Sequence, residues 1–321
     1  MIKERREVLF LYDVSWANPN GDPLDENKPR IDEETLINYV TDVRLKRTIR
    51  DYIHDFKKQE IFIREERVEG DEGEKKNELK TKEELYKSYG SPSKVLEKCI
   101  DIRLFGGTFA LKKGKKEKEE GEEKKEDKNQ FALTGPVQFK YGHSLHKVKL
   151  EFVKGTTVMP SGEKKEQGTF TERYILPYSL IAFYGVVNEN AAENQNILLT
   201  DEDLELMLEG MWKGTKNLLS TSKVGQMPRF LLEVTYKEKN YHLGELDKRI
   251  KLVSDKLDEE IRDISEVSID ATELVNALLE NLDKTSGIKY KIDERLKMLY
   301  NGKELNLKEV FKGINVEEIH F

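Results

Sequence analysis

The 321-residue chain has a single cysteine, Cys99, so it can form neither an internal disulfide nor a cysteine zinc cluster. It has no run of about 18 consecutive apolar residues, the length that a membrane-spanning helix needs. The N-terminal stretch MIKERREVLF has charges but no long apolar segment and no small-residue cleavage site. These absences predict a cytoplasmic protein without a membrane partner.

Signatures of catalysis and metal binding are also missing. The patterns HExxH, GxSxG and GxxxxGK[ST] do not occur in the sequence. His143 and His146 are three positions apart, but their segment has the pattern of a strand, in which such residues point to opposite faces. We therefore predict no metal, no cofactor and no catalytic residue.

Acidic residues exceed basic ones, and the excess is localised. The formal net charge is -7, and residues 243–283 alone contain 5 Lys/Arg against 12 Asp/Glu. The remainder is neutral on balance, so a local basic surface would not be cancelled. Overall acidity argues against a protein that coats any nucleic acid, but not against a groove that binds one kind.

Basic residues concentrate in VTDVRLKRTIRDYI (40–53). At helical spacing its apolar residues form one stripe, Lys46, Arg47 and Arg50 fall on the opposite side, and Arg44 lies at the edge. Cations three or four positions apart are neighbours and repel each other unless an anion lies across them. This helix is either an ordinary solvated face or a series of phosphate contacts.

Strand and helix patterns alternate along the chain. EVLFLYDVSWA (7–17) predicts a buried central strand, which a polar loop and the basic helix follow. Further strands precede a predicted helix over 200–219, and a strand is predicted over 230–238. This is the order of a ferredoxin-like or RRM-like core, so we predict an α+β fold in one domain that spans residues 1–321.

Two insertions interrupt that order, over 57–130 and 156–173. Within the first, residues 112–128 contain 8 Lys and 7 Asp/Glu, cannot bury side chains, and are predicted to be disordered. The second has the pattern of a hairpin. The acidic portion 243–321 is predicted to be mainly helical, with short strands, and to pack on the same domain.

Three further segments have alternative interpretations. STSKVGQMPR (220–229) suits phosphate and ribose contact around Gly225, or is an ordinary connection. Met159, at the predicted hairpin tip, is either a wedge between bases or a contact with a neighbouring subunit. Asp32 and its acidic neighbours beside Arg30 suggest metal or acid chemistry, or simply the start of a helix, where acids are favoured.

Six motifs resemble, in order, those of the crRNA-binding subunits of the RAMP superfamily that form the repeated backbone of the CRISPR Cascade complex, in its type I-B form. They are YDVSWANPNGDP (12–23), NKPRIDEET (27–35), VTDVRLKRTIRDYI (40–53), DIRLFGG (101–107), GTTVMPSGEKKEQGTF (155–170) and TSKVGQMP (221–228). The resemblance covers most of residues 8–240. It implies an RRM-like palm, fingers inserted over 57–130 and a thumb hairpin over 155–173.

The resemblance also implies a function. Copies would stack into a helical filament along one CRISPR RNA, present it for pairing with a target DNA strand, and contact other Cascade subunits. The implied RNA contacts come from the basic helix, the loops beside it and the thumb. They are Asn18, Asn20, Arg30, Arg44, Lys46, Arg47, Arg50, Met159, Ser222, Lys223 and Gln226.

Two alternatives remain open at this point. One is a metal-dependent RNA endonuclease of the related type III kind, which would use Asp32. The other is an unrelated single-stranded RNA-binding protein that does not assemble into a filament.

Overall fold

The structure, a computed structural model, describes residues 1–67, 78–110, 130–156 and 170–321. Its strands are β1 (Arg6–Ala17), β2 (Gly21–Asp22), β3 (Lys28–Pro29), β4 (Ile37–Val40), β5 (Gly106–Ala110), β6 (Gln130–Thr134), β7 (Val137–Phe139), β8 (Gly142–Lys147), β9 (Glu151–Thr156), β10 (Phe170–Val187), β11 (Gln226–Tyr236), β12 (Lys251–Val253), β13 (Ser268–Asp270), β14 (Thr285–Ile292), β15 (Met298–Tyr300), β16 (Lys303–Glu304) and β17 (Asn315–Glu318). Its α-helices are α1 (Asp42–Asp55), α2 (Lys82–Tyr89), α3 (Pro92–Lys98), α4 (Ile100–Phe105), α5 (Glu189–Asn194), α6 (Asp201–Lys216), α7 (Thr272–Glu280) and α8 (Leu307–Val310). The predicted mixture of helices and strands is confirmed. Within these residues, no helix is both long and apolar enough to cross a bilayer.

The largest sheet has the strand order β17-β14-β11-β1-β10-β8-β4. β1 pairs antiparallel with both β10 and β11, which confirms the predicted central strand. Val8 and Phe10 of β1 belong to the apolar core on one face of the sheet, and Leu9 and Leu11 belong to the core on the other. Because both faces are buried, β1 has a continuous apolar sequence instead of an alternating one.

Helices α1 and α6 cover one face of this sheet and pack closely against each other. A Cβ atom added at Gly214 of α6 would lie 3.0 Å from the carbonyl oxygen of Thr48 in α1, so a glycine permits this approach. α6 begins at a capping box, in which Thr200 and Asp203 bond each other's backbone N–H groups. This helix pair holds α1 firmly against the central strand.

The C-terminal portion, residues 243–321, covers the opposite face. The carboxylate of Glu7 in β1 is fully buried and accepts the backbone N–H groups of Leu243 at 2.9 Å and Gly244 at 2.8 Å, together with the hydroxyls of Tyr184 and Tyr236. The prediction that this portion is mainly helical is wrong. β14 and β17 join the main sheet, and β12, β13, β15 and β16 form a second one. Strands of two to four residues are too short to show a period-two pattern in sequence.

The described part of the first predicted insertion contains α2, α3, α4 and the paired strands β5 and β6. It has a small apolar core of its own, in which Phe62, Leu85, Val95 and Ile102 are buried. The predicted disordered run 112–128 lies outside the described residues. In the second predicted insertion, β9 pairs antiparallel with the start of β10; the segment between them, which includes Met159, also lies outside the described residues.

Candidate nucleic-acid interface

The loop after β1 is tied to both the start of α1 and the loop before β11. The backbone N–H of Asn18 donates to the carbonyl of Ser222 at 2.8 Å, and Asn18 Nδ2 donates to the carbonyl of Asn27 at 2.7 Å. Asn20 Oδ1 accepts from the backbone N–H and the hydroxyl of Thr41, at 3.0 and 2.9 Å. Thr41 is the N-cap of α1. These bonds bring the predicted flanking residues from both loops to the N-terminal end of α1.

Lys223 is a cation with no acidic partner at this junction. Its Nζ atom donates to the carbonyl oxygens of Asn18 at 2.6 Å and Pro19 at 3.0 Å. Burial, and then the positive charge of Arg44, lower the pKa of Lys223 to about 7. Because carbonyl groups are neutral and the described residues place no carboxylate within ion-pair distance, the charge of the protonated amine is uncompensated.

Arg44 is a second cation that forms no ion pair with the described residues. Its side chain lines a small internal cavity together with Tyr12, Phe183 and Gln226. Its guanidinium makes no hydrogen bond or ion pair with any residue that the structure describes. Burial lowers the pKa of Arg44. The charge of Asp51 acts in the opposite direction but does not form an ion pair with Arg44. An anion bound between Arg44 and Lys223 would favour the charged form of each, so the pair has the electrostatics of a candidate anion site.

The other cations of α1 do not form the predicted exposed series. Lys46 is buried and pairs with Asp42 at 3.0 Å, and Arg50 is buried and pairs with Asp101 at 2.9 Å. Phe105, at the end of α4, lies 5.6 Å from the Lys46 ammonium and 5.2 Å from the Arg50 guanidinium. The predicted exposure is wrong for both residues, because the inserted segment packs over this side of the helix.

Two predicted cations are at the surface or near it, and each has an acidic neighbour. Arg47 is exposed and pairs with Asp51 at 2.6 Å. Arg30 is partly buried and pairs with Asp22 at 2.7 Å. Water and salt weaken ion pairs near the surface, so neither acidic neighbour prevents a contact with phosphate. Arg47 and Arg30 therefore stay predicted phosphate contacts.

The remaining predicted residues have different surroundings. Ser222 is partly buried, and its hydroxyl lies 3.5 Å from that of Ser220. β11 begins at Gln226, four residues earlier than predicted, so this residue is part of the sheet and is buried. Within the described residues, its Nε2 atom has no hydrogen-bond partner. Gln226 therefore adds a second donor group without an acceptor beside Arg44.

Asp32, the acid of the nuclease alternative, bonds within its own loop. Its Oδ2 atom accepts from the Thr35 hydroxyl at 2.6 Å, and its Oδ1 atom accepts from the backbone N–H of Glu34 at 3.2 Å. The bond from Thr35 and then that from Glu34 lower the pKa of Asp32. Across the described ranges, no group of three or more His, Cys, Asp or Glu side chains is arranged to hold a metal ion.

Two residues that organise the candidate interface were not predicted from the sequence. Thr41 connects Asn20 to the helix start, and a threonine three residues before Arg44 is a recognisable N-cap signal. Asp101 forms an ion pair with Arg50. The sequence clue is an aspartate between two apolar residues, Ile100 and Ile102, because a charge on an apolar helix needs a partner.

Comparison with known proteins agrees with the motif resemblance. The family model for CRISPR-associated protein Cas7 matches residues 4–272. A CRISPR-associated protein Cas7 of Haloferax volcanii is 33% identical over 308 residues, which cover 92% of this chain and 88% of that protein. The chain belongs to the Cas7 family. This confirms the resemblance at the level of the family, and the type I-B assignment stays a prediction.

Solved structures share the fold of this Cas7-family chain. A chain of a CRISPR RNA-guided surveillance complex described as pre-nicking superposes with a TM-score of 0.55 at 12% identity, over 98% of this chain and 96% of that one. A chain of a second CRISPR RNA-guided surveillance complex gives 0.52 at 12% identity, over 98% and 94% of the two chains. At this identity the likeness concerns the fold alone.

Proposed function

We propose that this Cas7-family chain binds single-stranded CRISPR RNA through its sugar-phosphate backbone, in the cytoplasm, as the repeated non-catalytic subunit of a type I-B Cascade complex. The observation that carries the proposal is the junction of Arg44 and Lys223, two partly buried cations that form no ion pair with the described residues. RNA phosphates supply the missing negative charge.

The chain topology supports a palm that can present this site. Strands β11, β1, β10 and β8 lie side by side, and α1 and α6 share one face of the sheet. This antiparallel arrangement supports the RRM-like palm that we propose. We assign the segment 57–130 to the fingers and 155–173 to the thumb, with Met159 near its tip.

A backbone contact suits the proposed ligand. Guide sequences differ from one RNA to the next, so a subunit that holds all of them must bind phosphate and ribose and leave the base edges free. Free base edges are also what pairing with a target DNA strand requires. The proposed partners are therefore CRISPR RNA, the target strand through the guide, further copies of this chain and other Cascade subunits.

Native mass spectrometry with single-stranded RNAs of increasing length tests this proposal. We expect protein copies to add stepwise as the RNA lengthens, with the RNA intact in the presence and absence of magnesium, because each copy covers a fixed backbone length. A DNA strand of equal length is the matched control for ribose contacts.

Two outcomes would contradict the proposal. One protein copy per RNA at every length would rule out the filament and favour a non-assembling RNA-binding protein. RNA shortened only with magnesium would favour the nuclease alternative, and Asp32→Ala should then abolish the cleavage.

Lys223 makes RNA affinity depend on pH. Its pKa of about 7 in the free protein rises when a phosphate binds, so binding takes up a proton above pH 7. We expect the association constant to be insensitive to pH below about 6 and to fall by up to about tenfold per pH unit above 7. Fluorescence anisotropy between pH 6 and pH 9 measures this, with Lys223→Arg as the control.

Arginine keeps its charge throughout this range, so the Lys223→Arg profile should be flatter than that of the wild type. Equal pH dependence in the two proteins would show that another group takes up the proton.

A further inference from the structure

One exposed aromatic residue near the cation pair has an unusual backbone. Trp16, the penultimate residue of β1, has a φ of 49°, in the left-handed region that bulky side chains rarely adopt. It is 59% exposed, although Val14, two residues before it, and Ala17, directly after it, are fully buried. Such strain persists only where the surrounding structure imposes it, and it concentrates at functional sites.

The loop before β11 imposes this conformation. The backbone N–H of Ser15 donates to the carbonyl of Gly225 at 3.0 Å, and that of Asn18 donates to Ser222 at 2.8 Å, so the chain is fixed on both sides of Trp16. Gly225 has a φ of 102°, and a Cβ atom there would lie 2.5 Å from the Ser15 carbonyl oxygen. The fit between strand and loop thus interrupts the strand alternation at Trp16 and leaves its ring exposed.

The same loop contains Lys223, which is bonded to Asn18 and Pro19. The exposed indole ring of Trp16 is therefore only two residues along the chain from Asn18, whose carbonyl oxygen binds the Lys223 ammonium group. Within the described residues, that ammonium group has no anionic partner. Proteins that hold single strands without sequence preference combine cations for the phosphates with aromatic rings on which bases stack. We propose that Trp16 is the stacking surface for a nucleobase of the RNA strand whose phosphate binds at Arg44 and Lys223.

This proposal rests on the proposed RNA binding, and it adds a base contact to it. Stacking needs only the face of a base, so it tolerates every guide sequence. Exposed tryptophans also occur at contacts between protein subunits. The experiment must therefore separate a base contact from a contact with a second copy.

Substitution of Trp16 gives the first measurement. Trp16→Gly removes the ring but accepts the left-handed backbone, so its thermal unfolding midpoint should stay close to that of the wild type. We expect Trp16→Gly to lower the affinity for a one-copy RNA by about 5- to 150-fold, and Trp16→Phe to retain most of it. Anisotropy of an end-labelled RNA measures both, and the thermal unfolding midpoint checks the fold.

Fluorescence gives the second measurement, because the chain has only two tryptophans and Trp212 is buried. In a Trp212→Phe variant, RNA that stacks on Trp16 should quench the remaining emission, and an RNA of equal length whose sugars carry no bases should not. Equal quenching by both RNAs would overturn base stacking.

The remaining outcomes are distinguishable. If the wild type binds no RNA by anisotropy, the proposed function fails and not only the role of Trp16. If Trp16→Gly binds a one-copy RNA as tightly as the wild type, stacking is overturned. If that variant also adds fewer copies on a long RNA, Trp16 is a contact between subunits instead.

Discussion

Arg50→Ala is expected to lower the free energy of unfolding by about 3–5 kcal/mol, whereas Arg47→Ala should change it by at most about 1 kcal/mol. Both arginines lie on α1, three positions apart, so replacing either by alanine changes the intrinsic helix propensity by the same amount. They differ in surroundings: Arg50 is buried against Asp101, and Arg47 is exposed beside Asp51.

The large effect comes from the carboxylate that the substitution leaves behind. Asp101 is fully buried and accepts the backbone N–H groups of Phe62 at 2.7 Å and Ile63 at 3.0 Å as well as the Arg50 guanidinium at 2.9 Å. Without Arg50, a buried negative charge keeps two neutral donors and no cation. The same bonds join α1 to the inserted segment, so their loss should also loosen that segment.

Urea denaturation followed by circular dichroism measures these free energies, with Arg47→Ala as the matched control. A double replacement, Arg50→Met with Asp101→Asn, should recover much of the loss, because a neutral amide leaves no unpaired charge and its Oδ1 atom still accepts a backbone N–H. A stability of Arg50→Ala within about 1 kcal/mol of the wild type would show that Asp101 does not depend on this ion pair.

The sequence predicted elements whose signal is local. β1 is a continuous apolar run, and α6 combines a capping box with regular apolar spacing, so both appear near their predicted positions. β14 and β17 were not predicted as strands of the main sheet, because β17 has only four residues and β14 pairs with the distant segment β11.

The site shows the same limit at the level of side chains. The helical pattern of α1 gave the apolar stripe, but it contained no information about what covers the other side of the helix. Phe105 and Asp101, about fifty residues further along the chain, make Lys46 and Arg50 internal. Arg44 and Lys223 likewise belong to segments far apart in sequence, so only the fold reveals that these two cations lie close enough to affect each other's charge.

Arg44→Gln is expected to weaken binding of single-stranded RNA by about 10- to 100-fold, whatever the RNA sequence, because it removes a charged hydrogen-bond donor from the proposed, partly buried phosphate site. Glutamine keeps much of the side-chain volume and polarity. Arg295→Gln is the matched control: this arginine is exposed, pairs with Asp263 and lies on the C-terminal portion, outside the proposed interface. It should leave the affinity nearly unchanged.

The dependence of RNA affinity on salt is the most direct test of a phosphate site at Arg44 and Lys223. The logarithm of the association constant should fall linearly with the logarithm of salt concentration, and Arg44→Gln should make that slope shallower by about 0.7, the value for one phosphate contact on a single strand. We expect the same change for three RNAs of unrelated sequence. An unchanged slope and affinity, or a loss confined to one sequence, would contradict a phosphate contact by Arg44.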